Sequence, residues 1–261
     1  MFSKKIILNI PHSSIFIPEC VRKRILLNDK ELKKEILAIT DMYTEELYDF
    51  KNAQKVIAPV SRLVVDTERF VDDKLEIMSK IGMGVIYTKT TDLKTLRKNP
   101  STKERKELLD KFYYPHHNKL FELTENIFKE HKKALIIDCH SFPSIQPPYE
   151  KAFSNNQNIK RPQICIGADK FHTSNRLRKK ITSLFEERGY EVNINTPFSG
   201  SLVPLEYYSK EKNVQSVMIE LRRDLYMNEK TGKKTKNFNK LKQDINYAIS
   251  ELTKYFYSDL T

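Results

Sequence analysis

The stretch Ile136-Ile137-Asp138-Cys139-His140-Ser141 constrains this chain most, because an apolar run stops there on an Asp-x-His pair. Side chains alternate between the two faces of a strand, so Asp138 and His140 point the same way at the strand's exit. That exit is where an open α/β sheet builds its ligand crevice. The same event occurs twice more: Ile6 to Ile10 runs into Pro11-His12-Ser13-Ser14, and Val217-Met218-Ile219 runs into Glu220. Two histidines and a carboxylate at the ends of buried-type strands suit a mononuclear zinc hydrolase, since zinc takes imidazole and carboxylate ligands and keeps one position open for water.

Strand-like runs fall at Lys5 to Ile10, Lys55 to Ala58, Arg62 to Asp66, Gly84 to Thr88, Ala134 to His140, Gln163 to Gly167, Glu191 to Ile194 and Val214 to Glu220. Helical spacing lies between several of them. Asp29 to Tyr48 sets Leu32, Ile36, Ile39, Tyr43 and Leu47 on one face. Thr102 to Phe112 and Pro115 to His131 read as two helices or as one broken by Pro115. Ser174 to Arg188 is stopped by Gly189, and Phe238 to Tyr255 closes the chain. This alternation predicts an α/β fold, a mostly parallel or mixed sheet with helices on both faces. At 261 residues the chain suits one large domain spanning 1–261. The loop-like stretches Ser141 to Arg161 and Asn195 to Ser209 are long enough to be expected as the rim of a site.

The net charge of +12 raises the question of a nucleic-acid partner. Lysines are spread over nearly every predicted helix, with no aromatic-interleaved basic stripe, so a solvated surface that draws small anionic substrates is expected and no nucleic acid. No apolar run approaches the roughly 20 residues of a membrane span. Met1 to Lys5 is followed by no signal-type apolar region, and the expected location is the cytoplasm. Three cysteines without Cys-x-x-Cys spacing argue against a disulfide framework and against a cysteine-built zinc site.

Among six histidines, His131 and His172 sit in charged, helix-flanking contexts that predict surface positions. His116 and His117 open a helix, where an imidazole either caps the surface or reaches a substrate. His12 and His140 differ because each ends a strand expected to be buried. One alone reads as a core histidine with a satisfied hydrogen bond; the two together read as shared metal ligands. Asp41 is the candidate third ligand, although a helix-surface aspartate needs no function, and Glu19 is a weaker one. Asp138 reads as a hydrogen-bonding support for His140. Glu220 is expensive to bury uncompensated and is the candidate general base, with a simple ion pair to Arg222 or Arg223 as the plainer reading. Arg62 and Arg69 mark the two ends of another expected strand, and arginine grips carboxylates in a bidentate fork.

Six motifs stand in the order seen in the N-formylglutamate amidohydrolases, which the chain resembles from about residue 5 to residue 230. They are Pro11-His12-Ser13, Arg62 through Asp66 to Arg69, Tyr114-Pro115-His116-His117, Asp138-Cys139-His140-Ser141, Asn195 through Gly200, and Glu220 through Arg223 to Tyr226. The resemblance implies a three-layer α/β/α sandwich of the phosphorylase/hydrolase-like kind, shared with zinc carboxypeptidases and aspartoacylases. It implies hydrolysis of the amide between a formyl group and an amino acid. It casts His12 and His140 as zinc ligands, Glu220 as the residue that activates water, and Arg69 as the grip on a substrate carboxylate. His117, Asn195, Gly200, Arg223 and Tyr226 match further substrate-binding positions. The chain departs from the pattern at Glu68, where the family's Asp-Leu-Asn-Arg becomes Asp66-Thr67-Glu68-Arg69, and at Ser14 and Ser201 in place of glycines. A negative Glu68 would repel an anionic side chain, so another N-acyl amino acid or a small amide is an open alternative to glutamate.

The expected mechanism is attack by a water on zinc held by His12, His140 and Asp41. Glu220 serves as base, and Arg62, or in reserve Arg223, faces the oxyanion. A zinc carboxypeptidase or deacylase acting on peptide or cell-wall fragments is the near alternative. A non-catalytic basic binding protein is the distant one.

Overall fold

A computed structural model describes residues 4–152 and 160–258. Six strands form, β1 (Ile6–Ile10), β2 (Ala53–Ile57), β3 (Ala134–Phe142), β4 (Ile164–Gly167), β5 (Val192–Ile194) and β6 (Val214–Arg222). They make one sheet in the order β2-β1-β3-β6-β4-β5, in which β4 runs antiparallel to β6 and all other neighbours are parallel. Every residue of β1 and β3 is buried. Their near-continuous apolar runs follow from this, because a strand covered on both faces has no solvent side to reserve for polar residues.

Among the described residues eight α-helices complete the frame, α1 (Glu19–Arg22), α2 (Asp29–Ile39), α3 (Thr44–Leu47), α4 (Thr102–Leu108), α5 (Tyr114–His131), α6 (Pro148–Lys151), α7 (Asn175–Glu186) and α8 (Phe238–Tyr257). Strand alternation sorts them into layers. Leu8, Ile10, Leu135, Ile137, Val217 and Ile219 face one way, onto Leu47 of α3, Leu177 and Ile181 of α7 and Ile245 and Ile249 of α8. Ile7, Ala134, Ile136 and Val214 face the other way, onto Leu120, Leu123 and Ile127 of α5. The result is the three-layer α/β/α arrangement that the alternation of elements predicts. Capping boxes at Asn28/Glu31 and Ser101/Glu104 satisfy the first free amides of α2 and α4. No helix among the described residues is long and apolar enough to cross a membrane.

The α5-facing side of the sheet turns polar toward the strand ends. In register, Asn9 lies beside Asp138 and His140 beside Glu220. All four belong to the alternate set that excludes the apolar residues of the α7/α8 layer, so all four project to one side.

The structure corrects several sequence expectations. Arg62 to Asp66 and Gly84 to Thr88 are not strands: Val64 N–H donates to Ser61 O within a turn, and Thr88 N–H returns to Gly82 O. Their β-branched residues, Val64, Val65 and Val85, instead fill a satellite core with Leu109 and Phe112. Branched side chains thus report burial here rather than extended backbone. The helix expected over Asp29 to Tyr48 breaks after Ile39, at Thr40 with extended backbone (φ −78°, ψ 139°) and Tyr43 with φ 67°. Helix α4 is joined to α5 without interruption by a π-helical turn at Leu109–Tyr113, and Pro115 sits in the first turn of α5, where it breaks nothing. His172 is fully buried rather than superficial, bonded to Val214 O and to the Ser209 amide. Part of the expected rim loop, including Asn155 to Asn158, lies outside the described residues.

Because Ile137 is at the centre of β3 and inside the larger core cluster, Ile137→Ala is expected to cost about 2–5 kcal/mol. Urea unfolding with an unchanged slope would read this directly.

Candidate metal centre

The break after α2 is what builds the site. With Thr40 extended, the Asp41 amide donates to His12 O at 3.0 Å, and the Asp41 side chain turns inward to 1% exposure. Asp41 Oδ2 then lies 3.2 Å from His140 Nδ1 and 3.6 Å from His12 Nδ1. The far nitrogens of both rings face other carboxylates. His12 Nε2 meets Asp66 Oδ1 at 2.8 Å, and His140 Nε2 stands 3.2 Å from Asp138 and 3.3 Å from Glu68, close but not aligned as a hydrogen bond.

His12 Nδ1 is buried and has no hydrogen-bond partner. An orphaned imidazole nitrogen beside a second imidazole and a carboxylate fits a divalent ion of zinc's preferences, with the outer carboxylates fixing ring orientation. Glu68, Asp138 and His140 Nε2 form another cluster of donor atoms. Its carboxylates are already served by protein donors, since Asn9 Nδ2 donates to both at 2.9 Å and the Leu202 amide donates to Asp138 at 3.1 Å. The second cluster therefore acts as support for the first.

Electrostatics point the same way. Burial alone would raise Asp41, yet the His12 and His140 rings beside it and the Arg223 charge hold it well below the usual carboxylate range. Burial opposes a charge on His140, but Glu68 and Asp138 raise its pKa well above the ordinary value. Burial pushes Glu220 up to about 8 against the pull of His140, with Asp41 adding to the rise. Acidic and basic groups are thus packed together at the centre, each held to its state by its neighbours.

Guanidiniums brace it. Arg223 donates to Asp41 Oδ1 at 2.9 Å, to Ala38 O at 2.5 Å and to Ser141 Oγ at 3.2 Å. Arg62 reaches Asp66 Oδ2 at 2.7 and 3.1 Å, and Tyr87 donates to the same oxygen through a very short bond. Burial would raise Asp66, but Arg62, His12 and Arg69 hold it well below the ordinary value.

A cleft of about 700 Å³ opens over these groups. His12, Asp41, Arg62, Arg69, His140, Glu220 and Arg223 all line it. Four sequence candidates do not. His117 is bonded to Thr67 O at 2.8 Å, Asn195 accepts from the Ala168 amide at 2.7 Å, Gly200 supplies a positive φ of 85° in the covering loop, and Tyr226 is fully buried. Glu19 is an exposed first residue of α1, paired with Lys23. Sequence reasoning passed over Asn9, the link between Asp138 and Glu68, although a single amide inside Ile-Ile-Leu-Asn-Ile was a visible signal. It also missed the cleft residue Tyr149, which carried none.

The family model for N-formylglutamate amidohydrolase matches residues 4–227. The chain belongs to the N-formylglutamate amidohydrolase family. An N-formylglutamate deformylase of Pseudomonas putida is 26% identical over 232 residues, covering 86% of this chain and 82% of that protein. Among solved structures, N-formylglutamate amidohydrolase from Ralstonia eutropha JMP134 superposes with a TM-score of 0.84 at 21% identity, over 98% of this chain and 95% of that one. A gene product of Agrobacterium tumefaciens gives 0.67 at 20% identity, over 95% and 92%. Those two likenesses show the shared fold; family membership makes the chain a hydrolase of amides.

Asp66→Asn leaves Arg62 buried without a counter-charge and is expected to cost about 3–5 kcal/mol at neutral pH. A depressed folded pKa contributes stability that is present above the unfolded value of roughly 3.9 and is lost as pH falls through the folded one. The gap between parent and variant should therefore close below about pH 4, as read by denaturation at a series of pH values.

Proposed function

We propose that this chain is a zinc-dependent amidohydrolase that cleaves the formyl amide of an N-formyl amino acid, N-formylglutamate being the substrate named for its relatives. One observation carries the reading: Asp41 meets Nδ1 of both histidines while Glu220 stands beside His140 in the strand register. His12, Asp41 and His140 would hold a zinc ion, which when bound would supply Lewis acidity and lower the pKa of a water toward roughly 7.

The chain's own residues do the rest. Glu220 removes a proton from the attacking water as its oxygen adds to the formyl carbon. Arg62 faces the oxyanion that forms, and Arg223 is the reserve. Glu220 then gives the proton to the departing amine nitrogen, the C–N bond breaks, and formate and the free amino acid leave. Arg69 binds the substrate carboxylate. His117, Asn195, Gly200 and Tyr226 contribute through the walls they hold: His117 fixes Thr67, directly before Glu68 and Arg69, and Asn195 fixes the turn after β4.

The purified protein is expected to carry about one zinc per chain, lost in folded His12→Ala and His140→Ala variants, by elemental analysis. A parent that refuses added zinc would sink the reading. Affinity should weaken as pH falls, because protons compete for the two imidazoles. Glu220→Gln should keep its zinc and lose about 10²–10⁴ in kcat, a split that steady-state kinetics with metal analysis on the same sample would reveal.

A further inference from the structure

We infer that Arg161 and Glu150 form a positioning clasp, which holds the cleft wall from Pro143 to Glu150 so that Gln146 and Tyr149 meet the substrate's side chain. This rests on the hydrolase reading above and adds the part of the cleft that tells one substrate from another.

The clasp is a charge pair outside the metal centre. Arg161 Nη1 and Nη2 donate to the two oxygens of Glu150 at 2.6 and 3.2 Å, and its Nε donates to Pro143 O at 2.7 Å. The Arg161 side chain is 5% exposed and that of Glu150 11%, so removing either leaves the other enclosed and unmatched. The guanidinium also lies 4.9 Å from the centre of the Phe142 ring and 5.7 Å from that of Phe198. The Arg161 carbonyl accepts from Arg222 Nη1 at 2.6 Å, which anchors the clasp to the end of β6, the strand that carries Glu220. One side chain thus grips both ends of the wall. Its bidentate fork fixes direction as well as distance.

The wall carries groups that the hydrolysis itself does not use. Pro143, Gln146, Tyr149 and Glu150 line the same cleft as His12, His140 and Glu220. Gln146 Oε1 is buried, and among the described residues it has no hydrogen-bond partner. Buried amide groups are normally satisfied, so an unpaired one on a cleft wall is a contact kept for a ligand. An amide presents either an acceptor or two donors, and the donors suit a side-chain carboxylate. The Tyr149 hydroxyl makes a long bond of 3.4 Å to Glu150 Oε1, so the clasp's own carboxylate orients it. With the formyl group at the metal centre, these two residues are left for the other end of the substrate.

The test compares N-formylglutamate, which has a side chain to reach the wall, with N-formylglycine, which has none. We would measure kcat and KM of both with the zinc-loaded parent, Arg161→Met, Glu150→Gln and the double variant. Arg161→Met is expected to lower kcat/KM for N-formylglutamate about tenfold or more, mainly through KM, with zinc retained and N-formylglycine changed by less than about threefold. The double variant should be no worse than Arg161→Met alone, because the two residues act as one unit. Gln146→Ala, which leaves the clasp intact, should fall on the glutamate compound only. Arg161→Lys keeps the charge and loses the fork, and it gives the same selective loss in smaller measure should the methionine variant not fold. An equal fall for both substrates makes the pair merely structural and overturns the inference, as do parent-like kinetics in Arg161→Met. Losses that add in the double variant overturn the pairing, and parent-like selectivity in Gln146→Ala removes Gln146. Equilibrium binding of both compounds to zinc-loaded Glu220→Gln protein, with and without Arg161→Met, reads the same contrast without turnover. That contrast in binding with no hydrolysis by the parent upholds the clasp and overturns the hydrolase reading; absence of both overturns both.

Discussion

A carboxylate enclosed to 1% exposure cannot persist uncompensated, and Asp41 is the point from which this site is strung. Its compensation comes from three directions. Arg223 arrives from the end of β6, His140 from the end of β3, and His12 from the turn after β1. Arg223 also bonds Ala38 O and Ser141, so the charge pair ties the last turn of α2 to two strand ends. Breaking such a pair by removing one partner leaves the other buried and unmatched, which is more damaging than never having had it. The irregular backbone from Thr40 to Tyr43 exists within this network: a helix continued through Asp41 would have carried the carboxylate around to another face.

The sheet supplies the other half of the geometry. Parallel pairing of β1 with β3 and of β3 with β6 brings Asn9, Asp138, His140 and Glu220 to one face at one end. A one-residue slip of any of these strands would exchange its polar residues with the apolar set that packs on α7 and α8. The core therefore holds the site's register: Ile137, Val217 and Ile219 have to face α8 for His140 and Glu220 to face the cleft.

This explains why the strands and the three strand-end residues were legible in the sequence. Each is announced by an apolar run followed by a polar residue, and burial enforces the alternation. Asp41 was visible only as a candidate, because the pattern of Leu32, Ile36, Ile39, Tyr43 and Leu47 continues smoothly across a break made by tertiary bonding. The segments around Arg62 and Val85 failed as strands for a related reason. Their apolar residues pack on α4 and the turn that follows it rather than on a neighbouring strand, and spacing alone does not separate the two. Of the resemblance-derived positions, the arginines reach the cleft, whereas His117, Asn195, Gly200 and Tyr226 lie behind it, since a motif records which residues occur together and not which of them face the ligand.

Asn9 shows how far the polar layer reaches. Burial and the neighbouring His117 and His12 press His116 down to about 3, so its ring is neutral, with the single proton on the nitrogen that faces Asn9 Oδ1 at 2.9 Å. That bond fixes the amide, leaving Nδ2 to donate to Glu68 and Asp138 together. Both carboxylates then stand beside His140 Nε2, at 3.2 and 3.3 Å, while Nδ1 of the same ring lies on the Asp41 side. Asp66 stands likewise beside His12 from the opposite side, at Nε2. Two rings, one just past β1 and one on β3, thus turn the same nitrogen, Nδ1, toward Asp41, one beside a direct carboxylate and the other beside a chain that begins on α5.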